Sequence, residues 1–388
     1  MPLADARTDE LARWLRLTHT PGVGAATVRR LIDAFGSPES VFAACCDPDA
    51  SEAARRAGRA LCAADPRRDR AVERALLWAH HPRHHLVTLA CEDYPVPLAQ
   101  LADAPAVLYA VGRRDTLRRP MVAVVGARNA TAAGAENARR FAQALSAAGW
   151  TVVSGLALGI DAAAHEGALD GGAGTVAVIG TGADRVYPAR HRALAERVAD
   201  DGLVISELPL GTPPAPGLFP RRNRLIAGVS QGVLVIEAAP RSGSLITARL
   251  AADFGRDVFA IPGSIHSPLA RGCHALIREG AVLVESIDDV LAELHRSTRA
   301  PSSPFAEPTT AVTGRAATPD TRPGPADDCG DDPVLAAVGH EPVHPDTLAA
   351  HLRLAIGEIG ARLVVLELAG RIERSPDGRV SRARGASP

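Results

Sequence analysis

The sequence predicts an α/β fold, with a Rossmann-like, doubly wound parallel sheet between a small N-terminal helical domain and a C-terminal winged-helix-like domain. Three observations support this prediction. Short apolar runs alternate with helical stretches between residues 84 and 295, as in βαβ units. Residues 1–80 are helical in pattern and rich in Ala and Arg. Residues 334–380 regain helical periodicity after a proline-rich interval at 296–333.

Six runs in the central region are predicted to be strands, because they are apolar nearly throughout, as strands covered on both faces are. They are Val122–Val125, Thr151–Ser154, Thr175–Ile179, Leu203–Ser206, Gly232–Ile236 and Asp257–Ile261. Helices are predicted between them at Ala133–Ala148, Ile160–Leu169 and Ser244–Phe254. Strands and helices that alternate at this spacing predict a parallel sheet.

The N-terminal region contains a Gly-x-Gly turn, Pro21-Gly22-Val23-Gly24, between two helical patterns. The second pattern has apolar residues at helical spacing from Val28 to Phe35. The arrangement resembles a helix-hairpin-helix, in which backbone N–H groups can meet a phosphate. A plain turn in a small bundle explains the same residues, and both interpretations stay open at this point.

Residues 296–333 are predicted to be a flexible linker, because they hold seven prolines and almost nothing apolar. The region after it carries one apolar helical stripe, formed by Ile356, Ile359, Leu363 and Leu366. A hairpin with its turn at 376–378 is predicted next. Helices followed by such a hairpin resemble a winged helix, for which DNA and protein are equally good candidate ligands.

Composition excludes several classes of site. The net charge is -1 and the chain contains no lysine, so a nucleic-acid site must be a local arginine patch, and lysine-dependent sites such as a Walker P-loop are excluded. The six cysteines form no CxxC pair, so neither a zinc site nor a disulfide framework is expected. No apolar run has membrane-spanning length, and the predicted location is the cytoplasm.

Phosphate-binding features follow three of the predicted strands, at the sheet edge where open parallel sheets bind ligands. Gly126 permits a tight turn and Arg128 adds a positive charge, before a helix whose first N–H groups are expected to be free. Ser154 and Gly155 are small enough for a ligand to approach the backbone closely. Ser242-Gly243-Ser244 precedes a helix and is typical of an anion cradle.

A fourth strand end leads to Phe219-Pro220-Arg221-Arg222-Asn223-Arg224. Arginines neutralise phosphates, and an aromatic face accepts an unstacked base, which contributes about 1–3 kcal/mol per base. The alternative is that Phe219 belongs to the core, while Arg222 and Arg224 form a solvated helix face. The residues alone favour neither interpretation.

Two further groups are candidates for chemistry. Asp161 and His165 are spaced as an acid–base pair, but no nucleophile lies beside them in sequence, and Asp161 is most simply a helix cap. The histidine-rich stretch 80–85 lacks a carboxylate or cysteine to complete a metal site. No catalytic residue, metal or cofactor is therefore assigned.

An ordered set of motifs, spanning about residues 86–290, resembles the DNA-processing protein A (DprA/Smf) family. The motifs are Val125–Arg128, Ser154–Asp161 with His165, Phe219–Arg224, Ser242–Ala248, Phe259–Gly263 and Gly272–Ile277. The resemblance implies a homodimeric single-stranded DNA-binding protein that loads the recombinase RecA in natural transformation and recombination, without catalysing a reaction. It also implies an N-terminal domain of SAM or helix-hairpin-helix type and a C-terminal winged helix.

The resemblance assigns roles to particular residues. Arg128 would hold a phosphate and Phe219 would face a base. The same groove would be lined by Arg222, Asn223 and Arg224, and completed by Ser242 and Gly243. The loop before Phe219, residues 214–218, lacks the basic residue that is frequent in the family. The alternative function is that of a nucleotide-processing enzyme on a related fold, of phosphoribohydrolase type, although the Pro-Gly-Gly-x-Gly-Thr run of those enzymes is missing.

Overall fold

The structure is a computed structural model that describes residues 2–46, 60–299, 332–339, 341–368, 371–375 and 378–383. The chain divides into two compact units, residues 1–287 and 288–388. Most of the predicted linker lies outside the described residues. Within the described residues, no helix has both the length and the apolar character needed to cross a membrane.

Helices form the N-terminal part of the first unit: α1 (Pro2–His19), α2 (Ala25–Phe35), α3 (Pro38–Cys46) and α4 (Pro66–Trp78). The turn before α2 needs a glycine at position 22, where φ is +80°. Trp14, Leu15 and Leu17 of α1 are fully buried and pack in one core with Val107 and Tyr109 of the sheet. His19 Nε2 also lies 2.8 Å from the Tyr109 hydroxyl. The helices are thus joined to the sheet through a shared apolar core.

Nine strands form one sheet, in the order β1-β2-β6-β5-β4-β3-β7-β8-β9. They are β1 (His84–Thr88), β2 (Val107–Gly112), β3 (Met121–Val125), β4 (Thr151–Ser154), β5 (Thr175–Val178), β6 (Leu203–Ser206), β7 (Gly232–Val235), β8 (Asp257–Ala260) and β9 (Val282–Leu283). The pairs from β6 to β9 are parallel. The prediction of a parallel sheet is confirmed for the six predicted strands. At one edge the sheet also contains β1 and β2, which were not predicted and which pair antiparallel, β1 with β2 and β2 with β6.

Helices cover the sheet on both faces, as a doubly wound fold requires. They are α5 (Val96–Ala99), α6 (Ala132–Ala147), α7 (Ile160–Gly171), α8 (Arg192–Asp201), α9 (Leu218–Val229), α10 (Gly243–Asp253) and α11 (Arg271–Arg278). Two 3₁₀ turns add Arg114–Arg118 and Ala189–His191. The six predicted strands and three predicted helices are confirmed, with ends that differ by no more than about two residues.

The strand order creates a crevice beside β3. The connections from β3 run towards β4, β5 and β6, whereas the connection from β7 runs the other way, towards β8. The loops that leave the carboxyl ends of β3 and β7 therefore separate, and open α/β sheets bind ligands at such a switch point.

The second unit contains α12 (Ile287–Arg299), whose first residue is the last of the first unit. It continues with α13 (Pro333–Ala337), α14 (Pro345–Leu352), α15 (Ile356–Leu368), β10 (Ile372–Arg374) and β11 (Val380–Arg382). The last two strands pair antiparallel, which confirms the predicted hairpin, although residues 376 and 377 of its turn lie outside the described residues. Ile359, Leu363 and Leu366 are buried as predicted. Ile356 is instead 51% exposed, because it stands at the start of α15.

The structure contains a disulfide-bonded cysteine, which the spacing of cysteines in the sequence did not predict. Cys62 is disulfide-bonded, whereas Cys45, Cys91 and Cys273 are free thiols. Disulfide formation depends on the distance between Cα atoms in the folded chain, which spacing along the sequence does not report.

Candidate nucleic-acid interface

A cleft of about 800 Å³ lies in the crevice at the switch point. One wall is the loop after β3, at residues 126–129, and the opposite wall is the loop after β7, at residues 239–244. The first turn of α9, residues 219–223, closes a third side. The cleft therefore lies where the alternation of strands and helices predicted a ligand site.

Eleven residues were predicted for the site, and the structure brings most of them to this cleft. Those that line it are Gly126, Arg128, Phe219, Arg222, Asn223, Ser242, Gly243 and Ser244. The other three, Ser154, Gly155 and Arg224, lie behind its surface. Ser154 Oγ donates a 2.7 Å hydrogen bond to the Val124 carbonyl within the sheet. The participation of all eleven in DNA binding stays a prediction.

Two arginines at the mouth of the cleft are available to a ligand. Arg128 and Arg241 are exposed, and neither forms an ion pair with any residue in the described part of the chain. The Arg128 guanidinium carbon lies 5.5 Å from the centre of the Phe219 ring, so a cation–π contact holds it over the cleft. The prediction of a local arginine patch in a chain of near-zero net charge is consistent with this geometry.

The cleft also presents two aromatic rings. Phe219 is half-buried, and its ring centre lies 5.5 Å from that of Tyr187, at an interplanar angle of 37°. Tyr187 is 46% exposed and was not among the predicted site residues. Its only signal in the sequence is the Tyr187-Pro188 pair in a chain that contains three tyrosines. The alternative that Phe219 belongs to the core is wrong, because the residue is half-buried and lines the cleft.

Arg222 forms the floor of the cleft and is only 6% exposed. Its guanidinium donates a 2.6 Å hydrogen bond to the Gly155 carbonyl and a second bond to the Val178 carbonyl. Burial lowers the pKa of Arg222 to about 10, while Asp161 opposes that shift. A Cβ at position 155 would overlap this guanidinium, so a glycine is needed there. The solvated helix face that was the alternative for Arg222 is therefore wrong.

Arg224 is also buried, and its charge is balanced outside the cleft. It pairs with the buried Glu207 carboxylate and lies 3.3 Å from Asp103 Oδ2. Its guanidinium also donates a 2.9 Å hydrogen bond to the Asp103 carbonyl. Burial raises the pKa of Glu207, although Arg224 and Arg221 oppose that shift. Through these contacts, Arg224 joins α9 to the loops that contain Glu207 and Asp103.

The two helices that begin at the cleft differ in how their N-termini are satisfied. At α6, Thr131 Oγ1 accepts from the Gly134 N–H, and the Glu237 carboxylate accepts from the Thr131 N–H and hydroxyl at 3.0 and 2.6 Å. The Gly134 N–H is therefore not free, and the Glu237 carboxylate beside Thr131 already places a negative charge at this helix start. At α10, Ser242 caps the Ser244 N–H at 3.3 Å, and Gly243 is exposed. The phosphate-binding features are thus stronger at α10 than at α6.

Asp161 and His165 support the loop after β4. Asp161 Oδ2 accepts from the Gly155 and Ala157 N–H groups at 3.1 and 3.3 Å, so it does not cap its own helix as expected. His165 is fully buried, and its Nε2 accepts from the Leu156 N–H at 3.3 Å. Its Nδ1–H therefore donates to Thr175 Oγ1, 2.8 Å away. Both side chains hold backbone groups in place.

The burial of His165 predicts a loss of stability in acid. Burial lowers its pKa from 6.5 to about 3, so the unfolded chain takes up a proton first as the pH falls below 6.5. Between pH 7.5 and 5, this linkage removes about 2 kcal/mol from the free energy of unfolding. We expect urea unfolding of His165→Gln to show a pH dependence smaller by that amount. Equal losses in the wild-type protein and the variant would contradict this assignment.

Comparison with protein families decides the identity of this architecture. Residues 85–295 match the model of DNA recombination-mediator protein A, residues 8–69 match the DprA-like N-terminal HHH domain, and residues 318–378 match the DprA winged helix domain. The chain belongs to the DprA family. The helix-hairpin-helix interpretation of the N-terminal turn is thereby confirmed over the plain turn. The winged-helix match begins inside the interval predicted as a linker.

Relatives of the DprA family match over most of the chain. Protein Smf of Escherichia coli is 39% identical over 80% of this chain and 81% of its own length. Protein Smf of a Synechocystis strain is 36% identical over 96% of this chain and 99% of its own length. The match to the full length of the Synechocystis relative shows that the family resemblance includes the terminal domains.

Two solved structures of DprA proteins share the fold. DprA from Streptococcus pneumoniae has a TM-score of 0.62 and 38% identity, with 72% of this chain and 95% of that chain covered. DprA from Helicobacter pylori, described in terms of its single-stranded DNA binding mode, has a TM-score of 0.51 and 30% identity. This match covers 56% of the present chain and 97% of the Helicobacter pylori chain.

Proposed function

We propose that this DprA-family protein is a cytoplasmic homodimer that binds single-stranded DNA in the switch-point cleft and loads the recombinase RecA onto that strand. The observation that carries the proposal is the juxtaposition of two exposed arginines with two aromatic rings at one cleft. Phosphates need the first feature and unstacked bases need the second. The single-stranded DNA binding mode of the Helicobacter pylori relative supports the same choice of ligand.

In this proposal different residues of the cleft contact the bases and the phosphates of the DNA strand. Bases stack on Phe219 and Tyr187, while Arg128 and Arg241 contact the phosphates on either side. The exposed Gly243 at the start of α10 offers a further anion contact. A duplex keeps its bases paired and stacked, so it gains only the phosphate contacts. The cleft therefore favours single strands over duplex.

The remaining predicted residues act by positioning the cleft. Arg222 fixes the floor through the Gly155 and Val178 carbonyls. Asn223 Nδ2 donates a 3.2 Å hydrogen bond to the Gly243 carbonyl and so ties α9 to the loop before α10. In this proposal Arg224 keeps α9 in register through Glu207 without meeting the strand.

The proposed role is not enzymatic. The candidate acid–base pair, Asp161 and His165, is engaged with backbone N–H groups. A buried neutral imidazole that accepts a hydrogen bond at Nε2 and donates one at Nδ1 has no free nitrogen for proton transfer. Release of free base from AMP by the purified protein would revive the phosphoribohydrolase alternative.

Recombinase loading predicts a gain in RecA activity on strands that are coated with single-stranded DNA-binding protein. We expect sub-stoichiometric amounts of the protein to shorten the lag of RecA ATP hydrolysis on such coated strands. Arg128→Ala should lengthen the lag again, because this variant binds single-stranded DNA less tightly. An unchanged lag, with normal DNA binding by the wild-type protein, would contradict the loading role and leave the binding role intact.

A further inference from the structure

A second cleft, of about 430 Å³, runs along the sheet face beside α8. Its floor is apolar and comes from Val111, Ile179 and Val204. Ala195 and Ala199 of α8 form one wall, and their small side chains leave the space open. A cleft of this size with an apolar floor suits a flat organic group.

The second cleft lies next to the proposed DNA cleft, and two loops separate them. Val186 lines the second cleft, whereas Tyr187, the next residue, lines the first. Leu156 and Ala157 are divided between the two clefts in the same way. His191 Nδ1 lies 2.9 Å from the Leu156 carbonyl and so joins the two loops. The two clefts therefore lie on opposite sides of the same pair of loops.

The charges at the second cleft argue against a phosphate inside it. Arg83 forms a 2.7 Å ion pair with Asp200. Arg185 and Glu196 are exposed, and neither has an ion-pair partner among the residues that the structure describes. The two positive and two negative groups balance, so the interior favours a neutral group. Arg185, on the loop that faces the first cleft, remains available to a phosphate outside.

Stacked rings form one end of the second cleft. The His84 ring is stacked on Trp78, with centres 4.2 Å apart and an interplanar angle of 15°. His81 adds a third ring, whose centre is 4.3 Å from that of His84. Burial lowers the pKa of His84, which favours its neutral form. These rings give a base an aromatic neighbour in addition to the apolar floor.

We propose that the second cleft takes one nucleobase of the same strand whose neighbouring nucleotides occupy the first cleft. The Glu196 carboxylate accepts a hydrogen bond from an exocyclic amino group, so bases that carry one are preferred to thymine. Arg185 contacts a phosphate between the two clefts. This inference rests on the proposed single-stranded DNA binding and extends the length of strand that one subunit holds.

A length series of oligonucleotides tests the second cleft. Ala199→Leu fills it, and Ala193→Leu is the matched control, because Ala193 is exposed on the same helix and lines neither cleft. On oligo-dC long enough to reach both clefts, we expect Ala199→Leu to weaken binding about tenfold, the loss of one stacked base. On the shortest oligonucleotides that bind, Ala199→Leu and Ala193→Leu should both match the wild-type protein.

The outcomes separate this proposal from the proposed function. Wild-type affinity of Ala199→Leu at every length, with Arg128→Ala weakened, would overturn the second cleft alone. If Arg128→Ala and Ala199→Leu both bind as the wild-type protein does, both proposals fail. Normal DNA binding by Ala199→Leu with a loss of RecA loading would also overturn the base site, since the cleft would then receive a protein side chain.

A photo-cross-link and a comparison of base preference test the same site without filling the cleft. An oligonucleotide that contains 5-iodocytosine should cross-link to the peptide that contains His81 and His84. In a separate binding measurement, dC strands should bind more tightly than dT strands. Glu196→Gln should reduce that preference, whereas Glu166→Gln, outside the cleft, should keep it. Cross-links confined to the peptides of Tyr187 and Phe219 would overturn the proposal.

Discussion

Arg222→Ala is expected to lower the free energy of unfolding by about 3–6 kcal/mol, since each of the two hydrogen bonds from the charged guanidinium to a buried carbonyl contributes about 1.5–3 kcal/mol. The Gly155 and Val178 carbonyls would lose their donor, and Asp161 would lose its nearby positive charge. Chemical denaturation at pH 7 measures the change directly. Among substitutions at this cleft, Arg222→Ala should have the largest effect on stability, because the guanidinium joins α9 to two strand ends.

Arg140→Ala is the control for this loss. Arg140 is 76% exposed and pairs with Glu136 one turn away on α6, so its removal should cost about 0.5 kcal/mol or less. If Arg222→Ala unfolds at the same denaturant concentration as Arg140→Ala, the floor of the cleft does not depend on the buried guanidinium. The positioning role given to Arg222 would then be wrong.

The double variant Arg128→Ala/Arg241→Ala is expected to show the largest loss of DNA affinity. Each charge-assisted phosphate contact contributes about 1.5–3 kcal/mol, which is roughly a 10- to 100-fold change in Kd for each arginine. The slope of log affinity against log salt should also become shallower by about 0.7 for each phosphate that the variant no longer neutralises. Fluorescence anisotropy with a single-stranded oligonucleotide at several salt concentrations measures both effects.

Arg249→Ala is the matched control for this experiment, because Arg249 is 61% exposed and lies outside the cleft. It should leave both the affinity and the salt slope close to the wild-type values. Wild-type binding by the folded double variant would show that the strand does not use the switch-point cleft.

The central sheet was predictable because burial on both faces leaves a direct trace in sequence. The runs at β3 to β8 are almost wholly apolar, and no polar pattern competes with them. The antiparallel strands β1 and β2 were missed, although β2 is as apolar and nearly as buried as the strands that were predicted. β1 begins with His84 and His85, which are only half-buried, and its partner β2 is reached through a long connection. Neither strand belongs to the alternation of strands and helices that marked the others.

The chemical types at the site were predictable, but the orientation of its side chains was not. Phe219, Arg128 and the Ser242–Ser244 cradle follow strand ends, and parallel strands bring such ends together. The difference between Arg128 and Arg222 is not visible in sequence. Arg222 is buried because Gly155, on a separate loop, lacks a side chain. Tyr187 reaches Phe219 from a separate loop, and only the fold creates that contact.

Titration of a fluorescent single-stranded oligonucleotide tests the central claim most directly, with unlabelled duplex of the same length as competitor and at two salt concentrations. The cleft geometry predicts binding that weakens with salt by about 0.7 log units per log unit of salt for each phosphate contact, and that duplex competes poorly. Absence of binding near physiological salt by well-folded protein, or equal competition by duplex, would contradict the claim that this cleft binds single-stranded DNA.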